Sequence, residues 1–316
     1  VLRGTRLGIS AGATTNTTVL DGTLALLGPG SWVRVSYEQG WTNAVESLRT
    51  ITTAAHARGL RVIQVVQTSG HRYDDPARRD ALIRYACDCA TIANVDALEI
   101  GNEWQHAPFW QAPPYDVMPP VAQATLTIGI ADAVRAVRPG LPLITNGLSP
   151  EANAQNPYLW MPAFLDVDVS AFRFLAFEGL GLHPYCYPEL ATTNPYRWNP
   201  LAQVPTILAD ARARGIGAPI WITEIGAPGF ATNPPTVRGI VVDEARQAAC
   251  YRAYLDVIRA HEANGIRFPM IAFATLRDGD SVTNAIEAGL GLVRSDGTRK
   301  PAYDLVYAFA REPLPA

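Results

Sequence analysis

The sequence predicts an α/β fold, a single (β/α)8 TIM barrel running as one domain over residues 1–316. Three observations lead there. Short apolar runs rich in Val and Ile alternate with longer amphipathic stretches from end to end. Such alternation implies parallel strands joined by right-handed crossovers, for which a closed eight-fold barrel is the natural solution at this length. The competing doubly wound sheet would carry GxGxxG after an early strand, yet only the fragment Gly179-Leu180-Gly181 occurs, inside a strand. No linker or low-complexity stretch divides the chain.

In chain order the predicted strands are Leu7–Ala11, Trp32–Tyr37, Arg61–Gln67, Ala97–Gly101, Leu143–Asn146, Gly179–His183, Ile220–Glu224 and Met270–Ala274. Each is apolar and bounded by Gly, Pro or polar residues. Between them lie helical stretches over Ala44–Arg58, Ala77–Ala93, Val121–Val137, Leu201–Arg214 and Glu244–Asn264. The stops at Gly59, Gly140 and Gly265 each follow a basic or polar residue or a proline, as helix ends do.

Hydrophobic residues make up 48% of the chain and charged ones 17%, ample for a packed core and unlike a disordered chain. A net charge of −3 argues against nucleic acid, which calls for a basic face. No apolar run approaches the ~18–20 residues of a membrane span, so no membrane partner is expected. A single lysine, Lys300, stands among 26 basic residues. Cys87 and Cys89 are two apart on a helix and diverge, and free thiols are expected throughout. No CxxC, HxH or HExxH occurs, so neither a metal nor another cofactor is expected.

In a (β/α)8 barrel the chemistry collects at the C-terminal ends of the strands. Strand four ends Glu99-Ile-Gly-Asn102-Glu103-Trp104, and strand seven ends Trp221-Ile-Thr-Glu224-Ile-Gly226. Each places a carboxylate at the mouth directly after buried positions, where it needs a partner or a task. Strands four and seven face each other across the barrel. Carboxyl groups about 5–5.5 Å apart there suit double displacement at a glycosidic bond, one attacking the anomeric carbon and the other donating a proton to the leaving oxygen. Arg34 also fits as an ion-pair partner of Glu99 inside the barrel.

With these residues the chain resembles clan A of the glycoside hydrolases over nearly its whole length. The resemblance implies that Glu103 is acid/base, Glu224 is nucleophile and Asn102 holds the sugar 2-hydroxyl. Arg34, in Trp32-Val-Arg-Val, matches the clan's strand-two arginine beside the nucleophile. His183-Pro-Tyr185 matches the strand-six His-x-Tyr, the Tyr holding the nucleophile and the His lining the subsite. Gly291-Leu-Val, Asp296-Gly and Lys300-Pro-Ala-Tyr303 resemble the clan's last strand-to-helix passage. Two features depart from it: Phe273–Asp278 has no Trp, and Gln67 stands near the place of a strand-three His. The resemblance extends equally to the cellulase family and to the β-xylosidase/α-iduronidase family.

Aromatic residues fill the expected catalytic-face loops. Trp41, Trp104, Trp110 and Trp198, joined by Tyr115, Tyr187 and Tyr196, are read as sugar-stacking platforms. Glu38 and Asp278, at strand ends, are candidate sugar contacts. The expected substrate is a β-linked polysaccharide or oligosaccharide cleaved internally, which favours an extracellular setting, with any signal absent or removed, over a cytoplasmic one. A non-catalytic carbohydrate-binding barrel and a transglycosylase using the same glutamates are the alternatives. Oligomeric state has no signature in the sequence.

Overall fold

Each predicted run becomes an element in the computed structural model of the chain, which describes residues 1–14, 16–68, 73, 75–104, 119–150, 161–162, 164–166, 177–193, 199–279 and 285–315. The barrel strands are β1 (Leu7–Gly12), β2 (Trp32–Val35), β3 (Arg61–Val66), β4 (Ala97–Asn102), β5 (Leu143–Gly147), β6 (Leu180–Leu182), β7 (Ile220–Ile225) and β10 (Ile271–Ala274). A short hairpin, β8 (Thr236–Val237) and β9 (Ile240–Val241), lies between β7 and the helix that follows. The sheet order is β5-β4-β3-β2-β1-β10-β7-β6, with every pairing parallel. Bridges Ile144–Gly179 and Leu148–Leu182 join β5 to β6 and close the ring.

The helices are α1 (Thr18–Leu27), α2 (Ala44–His56), α3 (Pro76–Thr91), α4 (Pro120–Val137), α5 (Pro200–Ala213), α6 (Glu244–Ala263) and α7 (Pro301–Ala310). Several begin where side chains satisfy the free N–H groups of the first turn. Asp75, Asn199 and Asp243 accept from the backbone of Ala77, Ala202 and Arg246, and Pro76 and Pro200 open their helices. Gly59 and Gly265 take the left-handed φ of +69° and +83° that a chain reversal after a helix requires. Among the described residues no helix is long and apolar enough to cross a membrane. All four cysteines are free.

Side-chain alternation sorts the barrel interior into layers. The lowest is apolar: Trp32, Ile63, Ala97, Ile144, Trp221, Met270 and Ala272 form one cluster, with Trp32 edge-on to Trp221 at 5.6 Å. Gly179 leaves room for the indole, since a Cβ there would stand 2.3 Å from Trp221. One pleat higher the layer turns polar, with Ser10, Arg34, Glu99 and Thr223 all buried. Outside the strands a larger apolar core fills the space between sheet and helices. Beyond β10, the buried Lys300 ammonium donates to the Gly229 and Gly289 carbonyls (2.6 and 3.0 Å) and to Asp278 (2.7 Å). That staple ties Gly229, Asp278 and Gly289 to the start of α7.

Candidate active site

The polar layer supports the site above it. Arg34 projects from β2 into the barrel, and its guanidinium fork spreads over several acceptors. Nε donates to Glu99 (2.6 Å), Nη1 to Ser10 (3.2 Å) and to Glu224, and Nη2 to Asn102 (2.8 Å). The two readings of Arg34, as partner of Glu99 and as neighbour of the opposing carboxylate, therefore coexist. Glu99 is fully buried and also accepts from Thr223 (2.7 Å). Burial alone would raise its pKa, but Arg34 and His183 outweigh it and hold it at about 2. Burial opposes the Arg34 charge as well, yet Glu99 and Glu224 keep its pKa above the ordinary value.

Glu224 reaches the mouth through an irregularity in β7. Trp221 and Thr223 point into the barrel, so strict alternation would send Glu224 out toward the helices. Opposite Ile271 and Phe273 of β10, however, β7 presents Ile222 and Ile225, one residue more than the register needs. This bulge re-aims the carboxylate into the mouth. There Oε1 accepts from Ser10 (3.1 Å) and Arg34, and Oε2 from the Tyr185 hydroxyl (3.0 Å).

Glu103 leaves β4 through a turn built on left-handed residues, Gly101 at φ +96° and Glu103 itself at +47°. For a residue with a Cβ that conformation is uncommon and needs external support. Trp104 supplies it. Its ring covers Gly101, where a Cβ would stand 2.6 Å from the indole. Its backbone N–H donates to Asn146 (3.3 Å) and its indole N–H to Tyr73 (3.0 Å). Trp104 is 0% exposed. This corrects the sequence expectation: Trp104 has no free face for a sugar, and it anchors the turn that presents Glu103.

His183 links the carboxylates. Its Nδ1 lies 2.7 Å from Glu103 Oε1 and 3.7 Å from Glu224 Oε2, and its Nε2 is 3.4 Å from Glu99. The ring fits because position 147 is glycine, where a Cβ would meet Nε2 at 2.1 Å. Burial lowers the imidazole pKa, but Glu224, Glu103 and Glu99 overcome that and lift it to about 9. At neutral pH the ring holds its proton and donates to Glu103. Tyr185, buried beside Glu224 and Glu103, has its hydroxyl pKa pushed well above the ordinary value, so it stays a donor.

The structure thus gathers Arg34, Asn102, Glu103, His183, Tyr185 and Glu224 at one mouth. One oxygen of Glu103, one of Glu224 and a ring nitrogen of His183 lie within 4.8 Å of one another. A divalent ion among them would have to break the His183–Glu103 hydrogen bond and stand beside the Arg34 guanidinium. The cluster fits proton transfer better than metal ligation. Trp41 is 42% exposed in the passage after β2. Trp110, Trp198, Tyr115 and Tyr196 lie outside the described residues. Asp278 is engaged by Lys300 and by the Gly291 N–H (3.0 Å). Sequence reasoning passed over Ser10 and Thr223, which a count of inward positions at the level of Arg34 would have found.

No family model matches the chain, and no curated protein does. Among solved structures its barrel is similar to those of glycoside hydrolases of families 5, 17 and 39. GH5_18 from Streptomyces cattleya, in complex with GlcNAc, is 20% identical, with 100% of this chain and 83% of that one covered and a TM-score of 0.67. A family 39 glycoside hydrolase from the gut symbiont Bacteroides cellulosilyticus WH2 is 18% identical over 97% of this chain, with a TM-score of 0.64. The present chain spans 63% of that protein's length. A family 17 β-1,3-glucanosyltransferase from Rhizomucor miehei is 16% identical over 94% of this chain and 96% of its own, with a TM-score of 0.61. At these identities the shared property is the fold.

Proposed function

We propose that the protein is a retaining glycoside hydrolase cleaving a β-linked polysaccharide or oligosaccharide at internal bonds. The observation that carries this is the approach of Glu103 and Glu224 oxygens to within 4.8 Å across the mouth. So close an approach of the nearest oxygens favours the about 5–5.5 Å carboxyl separation of retaining enzymes over the about 6.5–9.5 Å that leaves room for an inverting water. In the first step a Glu224 oxygen bonds to the anomeric carbon as the glycosidic bond breaks, and Glu103 passes a proton to the departing oxygen. In the second, water adds to that carbon, its proton goes to Glu103, and the bond to Glu224 breaks. Arg34, Ser10 and Tyr185 fix both oxygens of the nucleophile. His183 holds the proton that Glu103 shares. Asn102, whose Oδ1 accepts from Arg34, is the partner this reading gives to the sugar 2-hydroxyl.

The test is reducing-sugar release from a panel of plant and bacterial polysaccharides, with the anomer formed first followed by NMR. Wild type is expected to release the β-anomer first. Glu224→Ala should fall to background, and Glu103→Gln by about 10²–10⁴-fold on substrates with poor leaving groups. An α-anomer appearing first, or activity persisting in Glu224→Ala, removes the assignment. The same two residues serve transfer to an acceptor sugar, the activity named for the family 17 neighbour. Products lengthened by an added acceptor would turn the reading to transglycosylation.

A further inference from the structure

From the polar layer, β2 continues toward the mouth without losing register. Val35 pairs with Gln64, and four residues further on each chain Gln39 bridges Thr68. Side chains on this extension therefore keep alternating. Arg34, Ser36 and Glu38 share the barrel-axis face of β2, and Gln67 shares it on the extension of β3. Gln67 Nε2 donates to Ser36 (2.8 Å) and to Glu38 Oε1 (3.0 Å). The Trp41 backbone N–H donates to the Glu38 carbonyl (3.1 Å), which keeps the two residues side by side. Thr68 Oγ1 donates to Gln39 Oε1 (2.7 Å), tying the two extensions together.

The result is a tryptophan, 42% exposed, beside a half-buried carboxylate. An exposed indole offers a flat apolar face for stacking, here next to an acceptor for hydroxyl groups. The carboxylate keeps acceptor capacity beyond its bond to Gln67. Gln67 Oε1 is buried with no donor among the described residues, an acceptor that a hydroxyl group would satisfy. Glu38 stands four residues beyond Arg34, about 13 Å along the strand, farther than the one ring that occupies the cleavage position.

We propose that Trp41, Glu38 and Gln67 form a remote subsite for a neutral sugar ring, the indole stacking on its C–H face and Glu38 accepting two neighbouring hydroxyls. This rests on the reading of the protein as a glycoside hydrolase, but its binding arm does not need turnover. Isothermal titration calorimetry follows binding of β-1,4-linked gluco-, manno- and N-acetylglucosamine trisaccharides and of β-1,3-glucotriose to wild type, Trp41→Ala, Trp41→Phe and Glu38→Gln. Hydrolysis of 4-nitrophenyl glycosides carrying one and three of these sugars is followed in parallel. At least one trisaccharide is expected to bind wild type and to bind Trp41→Ala tenfold or more weakly, with Trp41→Phe between them and Glu38→Gln weakened several-fold. The three-sugar to one-sugar ratio of kcat/KM should fall tenfold or more in Trp41→Ala. Equal trisaccharide binding in wild type and Trp41→Ala, or none in wild type, overturns the subsite. Binding that depends on Trp41 without any hydrolysis upholds the subsite and removes the catalytic reading instead.

Discussion

A methyl group at position 147 would occupy the place of the His183 ring, since the Cβ would meet Nε2 at 2.1 Å and Glu99 at 2.6 Å. Gly147→Ala is therefore expected to cost about 1–3 kcal/mol by overpacking. It should also cut kcat, because a displaced imidazole no longer reaches Glu103. A urea midpoint and turnover both unchanged would show that the ring is not held this tightly. At this scale much of the site was legible. Glu103 and Glu224 stand out as carboxylates ending apolar runs, and pleat counting pairs Arg34 with Glu99. The need for glycine at 147 was not legible, because it depends on a residue 36 positions away on the adjoining strand. The Glu38–Gln67 contact likewise depends on how two strand extensions pair.

The strand ends are where alternation stops being a guide. Period-two counting from Thr223 turns Glu224 away from the mouth, and only the β7 bulge reverses that. The eight strands themselves were legible because burial on both faces leaves continuous apolar runs. An aromatic after a strand shows no such direction, which is why Trp104 reads as a platform in the sequence and as an anchor in the structure. Trp104→Ala separates the two roles. As an anchor it should cost about 3–5 kcal/mol and lower kcat by loosening the Glu103 turn. Trp104→Phe should recover most of the stability without the bond to Tyr73. Unchanged thermal stability combined with weakened substrate binding would restore the platform reading.

For the molecule as a whole, the polar layer couples stability to pH. The folded pKa of His183, about 9, lies above its ordinary 6.5. Its contribution is therefore complete below about 6.5 and is lost as pH rises through 9, on the order of 3 kcal/mol in all. Glu99 works at the other end: its contribution is present above 4.5 and lost as pH falls through about 2. Thermal midpoints from pH 5 to 10 should show wild type losing its advantage over His183→Gln between 6.5 and 9. Parallel curves for the two proteins would rule this coupling out. Lys300 bears on the molecule's chemistry in another way. The only lysine in the chain is 1% exposed and closed in by two carbonyls and a carboxylate. All side-chain positive charge at the surface that does not titrate near neutrality is thus guanidinium. Reagents that acylate primary amines find no accessible side chain on the folded domain, so a lysine introduced at a chosen surface position becomes its one accessible side-chain amine, alongside the terminal α-amine.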